Sequence, residues 1–215
     1  MKLDRQLFKD MEELFQESEA RLVTAVQVHM QHSGSNWAVA KTSKQLKCRI
    51  LCLTAKRSKT SRGFRCTLHV VKDNQREVSG SGGLPANYQV RKSWGLKYLT
   101  RMEAGRKDVQ DGDTAYKLLS LTFTSTMGSG LAETKMTCAV TTEEDRMLLL
   151  ACLYRLSMEQ ERRAPAVLNA DAADLDRISR SSVATALLGE FGAELLAEDD
   201  DKTGSRSAGG GGGGG

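Results

Sequence analysis

Apolar and polar residues alternate in a series of short segments between residues 20 and 141. Because successive side chains of a β-strand point to opposite faces, this period of two is typical of strands with one buried face. The segment at residues 88–104 is broken at Gly95, so it predicts either one bent strand or two short ones. In all we predict about seven strands, which fall within residues 20–30, 47–55, 64–71, 88–104, 116–124 and 135–141.

Helical periodicity flanks these strands on both sides. Residues 3–19 place apolar side chains at helical spacing, which predicts a short amphipathic helix. A second helix is predicted at residues 143–163, where Thr142 serves as the N-cap and Pro165 follows the end. Its wide apolar face consists of Met147, Leu148, Cys152, Leu153 and Leu156.

A single helix that follows a set of short strands can close the open end of a barrel or of an orthogonal sandwich. The predicted fold class is therefore mainly β with α. The arrangement resembles a pleckstrin-homology (PH) domain, a partly open barrel of about seven strands capped by one C-terminal helix. We divide the chain into an N-terminal helix at 1–19, a PH-like domain at 20–163, an Ala-rich helical extension at 164–197 with a helix around 183–196, and a disordered acidic, Gly-rich tail at 198–215.

The distribution of charge is more informative than its total. The whole chain carries 31 Lys and Arg against 27 Asp and Glu, a formal net charge of +4. Residues 20–72 nevertheless contain eleven basic residues and no acidic ones. Such a local excess indicates an anionic partner, either a membrane surface, a nucleic acid or an acidic protein. The eleven are Arg21, Lys41, Lys44, Lys47, Arg49, Lys56, Arg57, Lys59, Arg62, Arg65 and Lys72.

Six of these positions are our candidate phosphate-binding residues. Lys47 and Arg49 share one face of a predicted strand, because they are two residues apart. The others occupy the following turn and the strand ends beside it, and we expect an antiparallel hairpin to bring them together. Arg can hold a phosphate with two parallel hydrogen bonds while Lys acts as a mobile charge, which suits a headgroup with several phosphates. The six candidates are Lys47, Arg49, Lys56, Arg57, Lys59 and Arg65.

No pattern in the sequence indicates an enzyme, a cofactor or a metal site. The three histidines have no accompanying carboxylate motif, and the glycines at residues 80–83 lack the Lys and helix of a phosphate-binding loop. The five cysteines show no metal-ligand spacing, so we expect free and mostly buried thiols. Without a secretory signal or an apolar run long enough to span a bilayer, a cytoplasmic protein is expected.

Several strings occur in an order and spacing that resemble a known family. The chain is similar to the N-terminal domain of the exocyst subunit Sec-three (exocyst component one), which is a PH domain. The resemblance covers about residues 5–163. It is carried by LKCRILCLTAKRSK (46–59), FRCTLHVVK (64–72), KSWGLKYLTRME (92–103), the strand at 119–123 and the helix at 142–156.

The resemblance implies a domain that binds phosphatidylinositol bisphosphate at the plasma membrane and acts in vesicle tethering during exocytosis. It also implies Lys47 and Arg49 as the best site residues, and other exocyst subunits as partners of a longer form. The coiled-coil and helical-rod region of the family does not follow here, and whether the chain is a fragment or a stand-alone protein stays open. The alternative is an interaction module for a Rho-type GTPase or a peptide. Nucleic-acid binding ranks below both, because stacking aromatic motifs are missing.

Overall fold

The structure, a computed structural model, describes residues 5–31, 46–58, 64–73, 88–106, 108–111, 113–127, 130–161, 165–182, 184–186 and 189. Nine strands and three helices lie within these ranges, together with a 3-10 turn at Leu96–Tyr98 between β4 and β5. In chain order they are α1 (Arg5–Gln16), β1 (Arg21–Gln31), β2 (Leu46–Arg57), β3 (Phe64–Asp73), β4 (Tyr88–Gly95), β5 (Leu99–Ala104), β6 (Val109–Asp111), β7 (Thr114–Met127), β8 (Gly130–Val140), α2 (Glu143–Glu161), β9 (Ala166–Leu168) and α3 (Ala172–Ser179).

The strands form one strongly bent sheet in the order β4-β3-β2-β1-β8-β7-β5-β9. All neighbours are antiparallel except β5 and β9, and β6 pairs with β7 beside the main path. Among the residues that the structure describes, the first four strands join the others through two paired positions, His29 with Ala139 and Met30 with Cys138. The sheet bends sharply at this junction, and α2 packs against its inner face. Together they form the partly open, helix-capped barrel that the sequence predicts. The segment around Gly95 forms two strands, and β6 is an additional strand of three residues between β5 and β7.

The main core lies between the inner face of the sheet and α2. Leu51, Leu68 and Leu119 are fully buried on three strands and belong to one cluster with the apolar residues of α2. The helix buries Leu149 and Leu150 as well as the face that its periodicity predicts. Its middle is therefore enclosed on more than one side, which requires a second covering element.

That covering element is the segment after Pro165. β9 adds to the edge of β5, and α3 packs against α2 with Ile178 fully buried. Ala184 is also fully buried in the same core, and the guanidinium of Arg155 donates a hydrogen bond to the carbonyl of Ser179 (2.7 Å). The extension thus contains a strand and a helix at residues 172–179. Most of the helix that we predict around residues 183–196 lies outside the described residues.

A second, smaller core lies on the opposite face of β1–β3. Met11 and Phe15 of α1 pack there against Ile50, Cys52 and Val71. The middle of β2 is consequently buried on both faces, between α1 on one side and the barrel interior on the other.

Candidate functional site

Lys47 and Arg49 lie where the barrel interior opens at one end of the sheet. They occupy the same face of β2 as Leu51, which is buried in the barrel core. Their partners on β1 are Met30 and Val28, both of which contact that core. Lys47 is exposed and Arg49 is half-buried, so the two cations form the rim of the apolar interior.

Three further cations reach this rim from β3 and β4. Ile50 pairs with Val71, which places Lys72 at the position beside Arg49. On β4, Arg91 and Lys92 are both exposed, and Lys92 pairs with Val70 of the barrel core. Lys72, Arg91 and Lys92 are not among the six sequence candidates, because only strand pairing places the end of β3 and the residues of β4 next to the start of β2. We use the term cationic end for Lys47, Arg49, Lys72, Arg91 and Lys92.

Arg49 is the most constrained member of the cationic end. Its Nη1 donates a hydrogen bond to the carbonyl of Cys48 (2.7 Å), which holds the guanidinium close to the strand. Burial and then the positive charge of Arg91 lower the pKa of Arg49 below its ordinary value. Both effects penalise the charged guanidinium, and a bound anion would offset both.

A cleft of about 270 Å³ on the other face of the sheet has a different character. It lies between the first turns of α1 and the ends of β2, β3 and β4, and Arg49 contributes to its lining. Asp10 and Asp73 also line it, and the Asp10 carboxylate accepts a hydrogen bond from the hydroxyl of Tyr88 (3.2 Å). With two carboxylates this cleft is poorly suited to a phosphate, which leaves the open cationic end as the candidate anion site.

The remaining sequence candidates lie at the opposite end of β2. Lys56 is seven residues beyond Arg49, roughly 23 Å away along the strand at about 3.3 Å per residue. It pairs with Arg65 across the hairpin, and Arg57 lies next to it. Its Nζ donates to the carbonyl of Ser18 and forms an ion pair with Glu19, both at 2.9 Å. The expected single cluster is therefore divided between two ends, and Lys59 lies outside the described residues.

The cysteines and Trp94 are placed as packing residues of the fold. Cys48 is half-buried, the other four cysteines are buried, and all five are free thiols. Burial raises the pKa of Cys52, Cys66, Cys138 and Cys152 to about 12, which leaves these thiols unreactive at neutral pH. Trp94 is partly buried and stacks on the core residue Phe123, with 5.3 Å between ring centroids. Among the described residues no group of three or more His, Cys, Asp or Glu is placed to hold a metal ion.

Comparison with known protein families shows which family the chain resembles. Residues 44–159, slightly more than half of the chain, match the family described as exocyst complex component SEC3 N-terminal PIP2 binding PH. The matched range begins just before β2 and ends near the end of α2, so it includes all five residues of the cationic end. No curated protein matches the chain. None of the helices in the described part of the chain has the length and apolar character needed to cross a membrane.

Proposed function

The chain belongs to the family of exocyst SEC3 N-terminal PIP2-binding PH domains, and on that premise we propose that its cationic end binds the phosphates of a phosphatidylinositol bisphosphate headgroup. The domain is a lipid-binding module and not an enzyme. The observation that carries the proposal is the convergence of five cations from β2, β3 and β4 on one rim of the barrel.

The charges of the cationic end are sufficient for reversible recruitment to a membrane. A basic residue near an anionic leaflet contributes about 1 kcal/mol, so five residues contribute on the order of 5 kcal/mol. Arg49 and Arg91 add directional hydrogen bonds to phosphate oxygens, which a diffuse surface charge does not supply. Peripheral attachment of this kind at the plasma membrane fits a role in vesicle tethering during exocytosis.

The assignment is tested by removing charges at each end of β2 separately. Replacing both Lys47 and Arg49 by Ala should weaken binding to vesicles that contain phosphatidylinositol bisphosphate by about 30-fold, since two cations contribute about 2 kcal/mol. Arg91→Ala with Lys92→Ala should have a similar effect. Binding is measured by co-sedimentation with phosphatidylcholine vesicles that contain or lack this lipid.

The opposite end of β2 offers a matched control. Arg57→Ala with Arg65→Ala also removes two exposed cations, and it should change vesicle binding by less than about twofold. Lys56 is kept unchanged because it holds the turn after α1. Loss of binding in the control pair, with full binding in Lys47→Ala/Arg49→Ala, would move the site to the other end of the hairpin.

A GTPase- or peptide-binding module remains the alternative from another class. The family description refers to a lipid, and no contact in the described residues favours the alternative over it. A pull-down with a GTP-loaded Rho-type GTPase in lipid-free buffer distinguishes the two. Capture that persists after Lys47→Ala/Arg49→Ala would support a separate protein-binding role.

A further inference from the structure

β4 forms an open edge of the sheet. The strand order begins with β4, which has eight residues and pairs with β3 on its inner side. In the part of the chain that the structure describes, no further strand pairs with its outer side. Alternate N–H and C=O groups of an edge strand point away from the sheet, and they form a template for pairing with another extended chain.

The middle of β4 is exposed on both faces of the sheet. Val71 of the smaller core and Val70 of the main core lie opposite neighbouring positions of β4, and a register shift between them leaves Arg91 without a partner on β3. The open part ends at Trp94, which is partly buried by its stacking on Phe123. Its length is therefore five residues, or roughly 16 Å at about 3.3 Å per residue. The five exposed residues are Gln89, Val90, Arg91, Lys92 and Ser93.

The open part of β4 carries two positive charges and no negative charge. Arg91 and Lys92 are adjacent, and the Arg91 guanidinium donates a hydrogen bond to the Gln89 side chain (2.9 Å), which leaves its charge unpaired by an acid. Among the described residues, the side chain of Lys92 has no hydrogen-bond or ion-pair partner. Asp73, at the end of β3, is the acidic residue of the β3–β4 ladder.

These charges determine which chain the edge can accept. In an added antiparallel strand, the side chains opposite Arg91 and Lys92 would lie roughly 5 Å away, where opposite charges attract and like charges repel. A second copy of β4 would bring its own cations to these positions, so pairing between two copies is disfavoured. A segment with Glu or Asp at these positions would form two charge pairs in addition to the main-chain hydrogen bonds.

We propose that the outer edge of β4 binds an extended acidic segment of a partner protein, which adds to the sheet as an antiparallel strand. This protein contact goes beyond lipid binding and does not replace it. Because Arg91 and Lys92 also belong to the cationic end, the acidic segment and the phosphoinositide compete for these two residues.

A peptide that alternates Glu and Thr over eight residues is a suitable probe, and calorimetry measures its binding in lipid-free buffer. One matched peptide has Lys in place of Glu. A second keeps the Glu residues but is N-methylated at every internal backbone nitrogen, which removes the donors that strand pairing requires. The Glu peptide should bind at least tenfold more tightly than either. Equal binding of the N-methylated peptide would show that charge alone attracts it, and would overturn strand addition.

Protein variants and hydrogen exchange locate the bound peptide. Arg91→Ala with Lys92→Ala should weaken peptide binding about tenfold. Arg57→Ala with Arg65→Ala also removes two exposed cations, but from strands that are paired on both sides, and should change it by less than about twofold. The peptide should slow amide exchange in residues 88–95 and not in residues 21–31. Equal losses in the two double variants, or binding without protection of β4, would overturn the proposal.

Competition with vesicles distinguishes this proposal from the proposed function. Saturating Glu peptide should weaken binding to vesicles with phosphatidylinositol bisphosphate by about 30-fold, the loss expected when two cations are removed. Vesicle binding by a protein that does not bind the peptide would overturn the β4 site and leave the proposed function intact. Peptide binding by a protein that does not bind vesicles would have the reverse meaning.

Discussion

His69 on β3 couples the stability of the domain to pH. The ring is half-buried beside Phe15, with Nε2 2.9 Å from the Thr54 hydroxyl and Nδ1 2.8 Å from the Ser93 hydroxyl. Burial lowers its pKa from 6.5 to about 4. Between these values the unfolded chain binds a proton that the folded chain does not, so stability decreases as the pH falls from 6.5 to 4.

We expect the His69 contribution to this loss to be about 1 to 2 kcal/mol, because water around the half-buried ring screens part of the penalty. His69→Gln removes the titrating group and should flatten the pH dependence by that amount. Urea denaturation of both proteins at pH 4 and 6.5 measures the difference in the free energy of unfolding. Parallel pH profiles for the two proteins would rule out His69 as the source.

Gly105 after β5 is required by a close approach of two chain segments. Its backbone N–H donates to the carbonyl of Leu118 (3.0 Å), and a Cβ at this position would lie 2.6 Å from the Cβ of Leu118. Gly105→Ala should therefore lower the free energy of unfolding by about 1 to 3 kcal/mol. Gly130→Ala is the matched control, since no heavy atom lies within 4 Å of its added Cβ. Equal denaturation midpoints for the two variants would show that the close approach of Leu118 does not require glycine at position 105.

At the scale of elements, periodicity predicted the long strands and both long helices. It could not predict β6 and β9, because a strand of three residues is too short to show a period. It also underestimated the burial of α2. Leu149 and Leu150 lie outside the face that its pattern predicts, and they are buried in a core that α3 helps to enclose. The contact between α2 and α3 requires the chain to fold back on itself after α2. Local sequence does not specify how the chain folds back.

The docking of α3 has a measurable energetic contribution. Ile178→Ala should leave a cavity against α2 and reduce the free energy of unfolding by about 2 to 4 kcal/mol. Leu175→Ala, on the same helix but 41% exposed, should change it by less than about 0.5 kcal/mol. Denaturant titrations of the two variants provide the comparison. A small effect of Ile178→Ala would show that α3 is only loosely attached in solution.

At the scale of the whole molecule, the sequence shows where positive charge is concentrated along the chain, but it does not show how the fold arranges that charge. Lys47 and Arg49 lie on the barrel rim, where their period-two spacing keeps them on one face. Charge density along the chain does not reveal that β2 carries Arg57 to the opposite end of the sheet. Arg91 is more than forty residues from Lys47 in sequence, and only the pairing of β3 with β4 brings it to the rim.

The barrel and the segment after Pro165 share the main core, and this predicts how the molecule unfolds. Ile178 and Ala184 belong to the same cluster as Leu51 and Leu119, although they lie beyond the range that matches the family. We therefore expect a single cooperative transition, with coincident denaturation curves from far-UV circular dichroism and tryptophan fluorescence. Two resolved transitions would mean that the segment after Pro165 unfolds independently of the barrel.

The burial of β2 on both faces has a consequence for the tendency of the protein to aggregate. Residues 50–55 read Ile-Leu-Cys-Leu-Thr-Ala, an uncharged segment of high β-propensity without Pro or Gly. Segments of this composition form intermolecular β-structure when they are exposed. In the native fold α1 covers one face through Met11 and Phe15, and the barrel interior encloses the other. We therefore expect that loss of the N-terminal helix would expose one face of this segment and promote aggregation, an effect distinct from any contribution of the helix to lipid binding.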